Sequence, residues 1–155
     1  MPHNSPAWWR RFLPSTLTVG IRERIYASLG AFLGLLCTEW VALQTLHASG
    51  AWFVAPMGAS AVLLFAAPTT PMAQPWPMLA GNLVSGVVGV ACAQWLGVSG
   101  MTAAIAAGLA IATMFQLRCL HPPGGAMAVT AVLGGKAIND MGFAFVYGPI
   151  LVNTL

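Results

Sequence analysis

Two stretches of this chain place proline, glycine and small residues at matched spacing. Pro56, Gly58, Ala59, Ala61 and Val62 fit the pattern PxGAxAV, and Pro123, Gly125, Ala126, Ala128 and Val129 fit it again. Proline at a first helical position forfeits no hydrogen bond, and the glycine after it leaves backbone amides approachable. Each stretch therefore predicts a helix start with free N–H groups and about half a positive charge, an arrangement that prefers an anion. One such end contributes at most ~2 kcal/mol, whereas desolvating an ion costs several, so two ends and a cationic side chain are needed. The candidate cations are Arg118 and protonated His121, which stand just before Pro122, Pro123, Gly124, Gly125 and Ala126. Pro56, Gly58, Ala59 and Ser60 supply the other half of the expected site.

A few further groups carry chemistry. Glu39 is the one acid within an expected span, and intramembrane carboxylates are functional candidates by default. It either carries protons, pairs with Arg118, or sits at an interface. His121 either relays protons near neutral pH or caps the proline-rich backbone, and Arg118 either serves the site or anchors at the membrane surface. Gln74, Asn82, Gln94 and Gln116 either line a path or bond between helices. Cys37, Cys92 and Cys119 are widely spaced in apolar surroundings and imply neither a disulfide nor a metal framework. No span combines a nucleophile with a base or a set of metal ligands, so neither an enzyme nor a cofactor is expected.

These residues must be positioned by membrane helices. Of 155 residues, 58% are hydrophobic and 6% charged, and the mean hydropathy is +0.80. A soluble domain carries about a quarter charged residues. Arg10, Arg11, Arg22 and Arg24 precede the first long apolar run, which reads as a positive-inside signal and not as a nucleic-acid patch. Residues 1–24 are thus expected to form a cytoplasmic or interfacial arm, with Trp8, Trp9 and Phe12 at the headgroups, and no cleaved leader.

The expected fold is an all-α membrane protein, a compact helical bundle in residues 25–155. A first span covers 25–46, with Gly30 and Gly34 as a close-packing face. An interrupted segment at 51–67 leaves about 11 helical residues after Pro56, or about 16 Å. A full span at 78–96 follows, with a stripe of Gly81, Ser85, Gly89, Ala93 and Gly97. The next span, 101–117, repeats the small-residue spacing at Ala104, Gly108 and Ala112. A second short helix covers about 124–133, a polar turn 136–140, and a final apolar run 141–155. That last run is too short to cross comfortably and is expected to be a truncated helix.

Two units of span, short helix and span emerge, about 25–97 and 99–155. If all six elements cross, the units are inverted repeats of the kind common in transporters, the arrangement preferred here. If the short helices are re-entrant, four segments cross.

The runs LHPPGGAMAVTAVLGG at 120–135, PMGASAVLLFAAP at 56–68 and AQPWPMLAGN at 73–82 resemble the HPP family of small integral membrane proteins. That resemblance implies a compact multi-helix membrane domain that transports nitrite, or nitrate, since plant chloroplast and cyanobacterial relatives are nitrite transporters. The family pattern carries over at His121 through Ala126 and at Pro56, Gly58, Ala59, Ser60 and Ala61. Gln74, Pro75, Gly81 and Ser85 match the third stretch. Many relatives have histidine in place of Asn82 and a longer last helix. The expectation is therefore an inner-membrane permease for nitrite or nitrate, with the lipid bilayer and a second copy of the chain as partners. A passive small-solute channel and a membrane sensor or scaffold are the alternatives.

Overall fold

The computed structural model describes residues 19–46 and 54–155. Residues 1–18 of the expected arm at 1–24 and the turn at 47–50 lie outside the described residues. The elements are α1 (Ile21–Leu46), α2 (Pro56–Ala66), α3 (Pro75–Leu96), α4 (Gly100–Gln116), α5 (Pro122–Leu133), α6 (Lys136–Met141) and α7 (Leu151–Thr154). A 3₁₀ turn at Pro71–Ala73 leads toward α3, and a π-helical turn at Val146–Ile150 leads into α7. The expected all-α bundle is observed.

Three boundaries differ from expectation for physical reasons. The helix α1 begins at Ile21 and takes Arg22 and Arg24 of the expected 1–24 arm into its first turn, since arginine is a good helix former. The helix α3 begins at Pro75, inside the proline-rich connection, because prolines in a first turn give up only N–H groups that lack helical partners anyway. The expected polar turn at 136–140 is helical. Gly135 enters it at φ +91, a conformation that suits glycine, and the Lys136 Nζ donates to Asp140 Oδ2 at 2.7 Å one turn on.

Polarity is distributed inside out. Leu29, Phe32, Leu33 and Leu36 on α1 are exposed, as are Ile105, Leu109, Ile111 and Phe115 on α4, while Asn82, Ser85, Thr102 and His121 are buried. Water would penalise that surface, and a bilayer favours it. Among the described residues α3 is the helix whose length and composition by themselves suffice to cross a membrane. Its ends carry exposed Trp76 and Trp95, 58% and 81% accessible. Nineteen helical residues separate them by about 28 Å, close to the ~30 Å hydrocarbon thickness, so both indoles can lie in the headgroup belts.

Small residues set the packing. A Cβ at Gly89 would lie 2.6 Å from the Ala128 carbonyl oxygen and 2.7 Å from the Ala131 Cβ, so α3 and α5 meet almost backbone to backbone. At Gly81 a Cβ would meet the His121 Cβ at 2.7 Å and the Cys119 carbonyl oxygen at 2.8 Å. The expected stripe thus packs through Gly81, Ser85 and Gly89, but ends before Gly97, which is exposed. The stripe expected on α4 faces outward instead. Ala104, Gly108 and Ala112 are exposed, and the packed face is Ala103, Ala106, Ala110 and Met114. Small residues occur on both faces of α4, so four-residue spacing did not single out the buried one. On α1, Gly30 and Gly34 face the Phe65 ring of α2.

The two PxGAxAV stretches have corresponding burial. Pro56 and Pro123 are buried, Gly58 and Gly125 half-buried, Ala59 and Ala126 exposed, and Ala61 and Ala128 buried. They differ in surroundings: α5 packs against α3, α4 and α2, whereas α2 rests mainly on α1 and α5.

Candidate functional site

The buried histidine joins the two short helices. His121 is the residue before α5, 0% exposed, and its Nε2 lies 2.9 Å from Ser60 Oγ on α2. Its Nδ1 lies 2.9 Å from the carbonyl oxygen of Met72 in the 3₁₀ turn. A carbonyl can only accept, so Nδ1–H donates to it, and in the neutral ring Nε2 accepts the Ser60 hydroxyl proton. One imidazole therefore ties α5, α2 and the approach to α3 together. Gly81 permits this, because any larger residue would collide with the His121 Cβ.

Ser60 also borders a cavity of about 160 Å³ between α1, α2, α3 and α7. Its polar lining comprises Thr38, Ser60, Asn82, Asn153 and Thr154; Met57, Met78 and Phe65 are among the apolar groups. Among the described residues no charged side chain lines it. The Thr38 and Thr154 hydroxyls donate to Gly34 and Ile150 carbonyls on their own helices. Asn82 is different. It is fully buried, and neither its Nδ2 nor its Oδ1 makes a hydrogen bond among the described residues. A buried polar group left unpaired costs roughly 1–3 kcal/mol, so this amide is held in place by the fold against its own solvation.

Three of the expected free amides at the helix starts are already engaged. Met57 and Gly58 donate to the Val54 and Ala55 carbonyls, Gly124 donates to His121, and Pro56, Pro122 and Pro123 have no N–H to offer. Tight turns ahead of each helix absorb these donors, which the sequence suggested would point at a ligand. A Cβ at Gly58 or Gly125 would meet nothing within 4 Å, so the backbone there is approachable, though the Gly58 and Gly124 N–H groups are already engaged.

Of the expected site residues, the structure brings together His121 and Ser60, with Pro56 and Pro123 buried in the same region. Ala59, Pro122 and Ala126 are exposed. Arg118 is exposed and serves as the stop of α4. It takes φ +53, its N–H donates to the Phe115 carbonyl, and the Cys119 N–H reaches back to the Met114 carbonyl at 2.9 Å. That is a Schellman closure with arginine in the place usually given to glycine. Glu39 does not line the cavity but sits beside Phe32, Leu35 and Leu36 of its own helix, and it forms no ion pair with Arg118. Asn82 is the site residue that spacing undervalued: it was one polar residue among four, and only tertiary structure shows that it is unpaired.

An apolar exterior, buried neutral polar groups and half-length helices entered through proline define an integral membrane helical bundle. The family model described as "HPP, transmembrane region" matches residues 16–155, and the chain belongs to that family. It is similar to two transmembrane proteins of Dictyostelium discoideum. One is 30% identical over 152 residues, covering 95% of this chain and 49% of the relative; the other is 34% identical over 132 residues, covering 82% and 46%. The chain thus spans about half the length of the curated relatives it matches. No solved structure matches it significantly.

Proposed function

We propose that this chain is a permease for a small monovalent anion, nitrite first and nitrate second. The observation that carries the reading is the His121–Ser60 hydrogen bond, which links the two PxGA helices beside a cavity lined by neutral polar groups. A cavity of about 160 Å³ holds a three- or four-atom ion with a few waters, at ~30 Å³ per water. Without a fixed cation it favours an ion of low charge, because a multivalent one would lose too much hydration. The spent helix-start amides shift the expected contacts to side chains next to those starts.

Proton coupling is assigned to His121 and not to Glu39. A proton arriving at Nε2 would make that nitrogen a donor, and Ser60 would then turn its own hydroxyl hydrogen away from the ring. A positive charge and a freed donor would thereby appear together beside the cavity. Four arginines ahead of the first apolar run support a cytoplasmic N-terminus. A helical architecture suits a bacterial inner membrane, since outer-membrane proteins are characteristically barrels. The passive-channel reading has one observation in its favour, namely that among the described residues no titratable side chain lines the cavity.

Flux of labelled nitrite, nitrate, formate and chloride into proteoliposomes, with and without a pH gradient, tests the proposal. Nitrite uptake that rises with inward proton flow, and that falls at least tenfold in folded His121→Ala protein, is the expected result. Equal flux with and without the gradient selects the channel. No anion flux from folded protein overturns both.

A further inference from the structure

The buried amide of Asn82 has neither donor nor acceptor partner among the described residues, lines the cavity between α1, α2, α3 and α7, and is followed one turn later by Ser85, whose hydroxyl faces the Met114 sulfur. The position is tightly fixed. Gly81 is pressed against His121 and Cys119, and Gly86 receives the Ile150 side chain, so α3 cannot rotate to bring the amide to another partner. Among the neighbouring polar groups, Thr38, Thr154 and, in the neutral state of His121, Ser60 already direct their hydroxyl hydrogens to protein acceptors. These three hydroxyls have thus committed their hydrogens, while Asn82 keeps an amide whose two N–H donors have no partner among the described residues. The assignment of its Nδ2 and Oδ1 can be exchanged by turning the amide over, so the donors can face inward.

We infer that Asn82 is the specificity-determining hydrogen-bond donor of a ligand site in this cavity, and that the site takes a small monovalent oxyanion. The inference rests on the permease reading for the direction of chemistry, and deepens it by naming the site and the ligand class. A primary amide is neutral and directional. It rewards a localised oxygen acceptor more than a spherical halide, and it supplies no charge to hold a divalent ion. The apolar remainder of the lining, including Met57, Met78 and Phe65, limits how much water can accompany the ligand. Asn82 would thus discriminate by hydrogen-bond geometry, in the way that sites built around polar groups reject analogues that leave those groups unpaired.

The test is equilibrium binding of nitrite, formate, chloride and urea to the full chain in lipid nanodiscs, alongside proteoliposome flux. Asn82→Leu removes the donors while keeping the branched shape, and Asn82→Ser keeps a small polar group where leucine fails to fold. Nitrite and formate binding in the wild type, with chloride and urea at least tenfold weaker, is expected. Both variants should lose at least tenfold in nitrite affinity, and their preference for nitrite over chloride should disappear while the helical melt is retained. Wild-type nitrite affinity in a folded variant overturns the inference while leaving the permease reading intact if flux persists. Urea binding as well as nitrite overturns the oxyanion class. Asn82-dependent nitrite binding without flux sustains the site and overturns the permease.

Discussion

The helices α2 and α5 open with the same proline, glycine and alanine pattern and bury corresponding positions, yet one is a packing hub and the other borders a cavity. At the fifth position of the pattern α5 has Met127, fully buried among apolar residues, and α2 has Ser60, whose hydroxyl meets His121. The difference teaches that the repeated pattern specifies how a short helix is entered and which face it buries. What that face does is set by the few residues that depart from the repeat.

The largest effect separates these two residues. Met127→Ala should cost about 2–5 kcal/mol, the range for removing a buried methionine side chain that neighbours cannot replace. Ser60→Ala should cost only about 1–2 kcal/mol, through the orphaned imidazole nitrogen. Unfolding in detergent gives both values, and flux per folded molecule gives the contrast. Met127→Ala should leave flux nearly unchanged, and Ser60→Ala should reduce it. A reversed pattern of flux would place the working face on α5 and break the comparison.

A second contrast concerns the seams on which the two helices rest. Gly89→Ala drives a methyl group against the Ala128 carbonyl of α5, where backbone must move, and should cost about 3 kcal/mol, the upper part of the overpacking range. Gly30→Ala drives it against the Phe65 ring of α2, which can swing, and should cost about 1 kcal/mol. Equal costs, measured by the same unfolding assay, would show that both seams are equally rigid.

Much of this architecture was legible in the chain. The helices α1, α3 and α4 follow from the long apolar runs of the sequence, and the short helices follow from their prolines, because these signals are local. The face that α4 buries was not legible, since Ala104, Gly108 and Ala112 match the small-residue spacing as well as Ala103, Ala106 and Ala110 do, and composition cannot rank two alanine-rich faces. At the site, His121 and Ser60 were recognisable from the repeat and its histidine. The loss of free amides at the helix starts depends on turns at Val54, Ala55 and His121, whose carbonyl directions no spacing encodes. Asn82 became distinctive only through what fails to approach it.

Arg118 gives the smallest prediction and the sharpest test of how the approach to α5 is held. Its charge made it a candidate anion ligand, but its backbone places it at a left-handed corner that stops α4 and sets up Cys119 and His121 for burial. A non-glycine residue in that conformation carries a strain of roughly 1–2 kcal/mol, which glycine does not. Part of the relief is offset by the greater freedom of glycine in the unfolded chain. Arg118→Gly should therefore stabilise the folded protein by up to about 1 kcal/mol and leave nitrite flux unchanged. A charge acting on the ligand would give the opposite outcome, with flux falling and stability unmoved. The measurement thus separates a residue that shapes the entrance to α5 from one that binds at it. If stability rises as predicted, arginine stands at this corner at a conformational cost, and its exposed side chain is free to meet lipid headgroups.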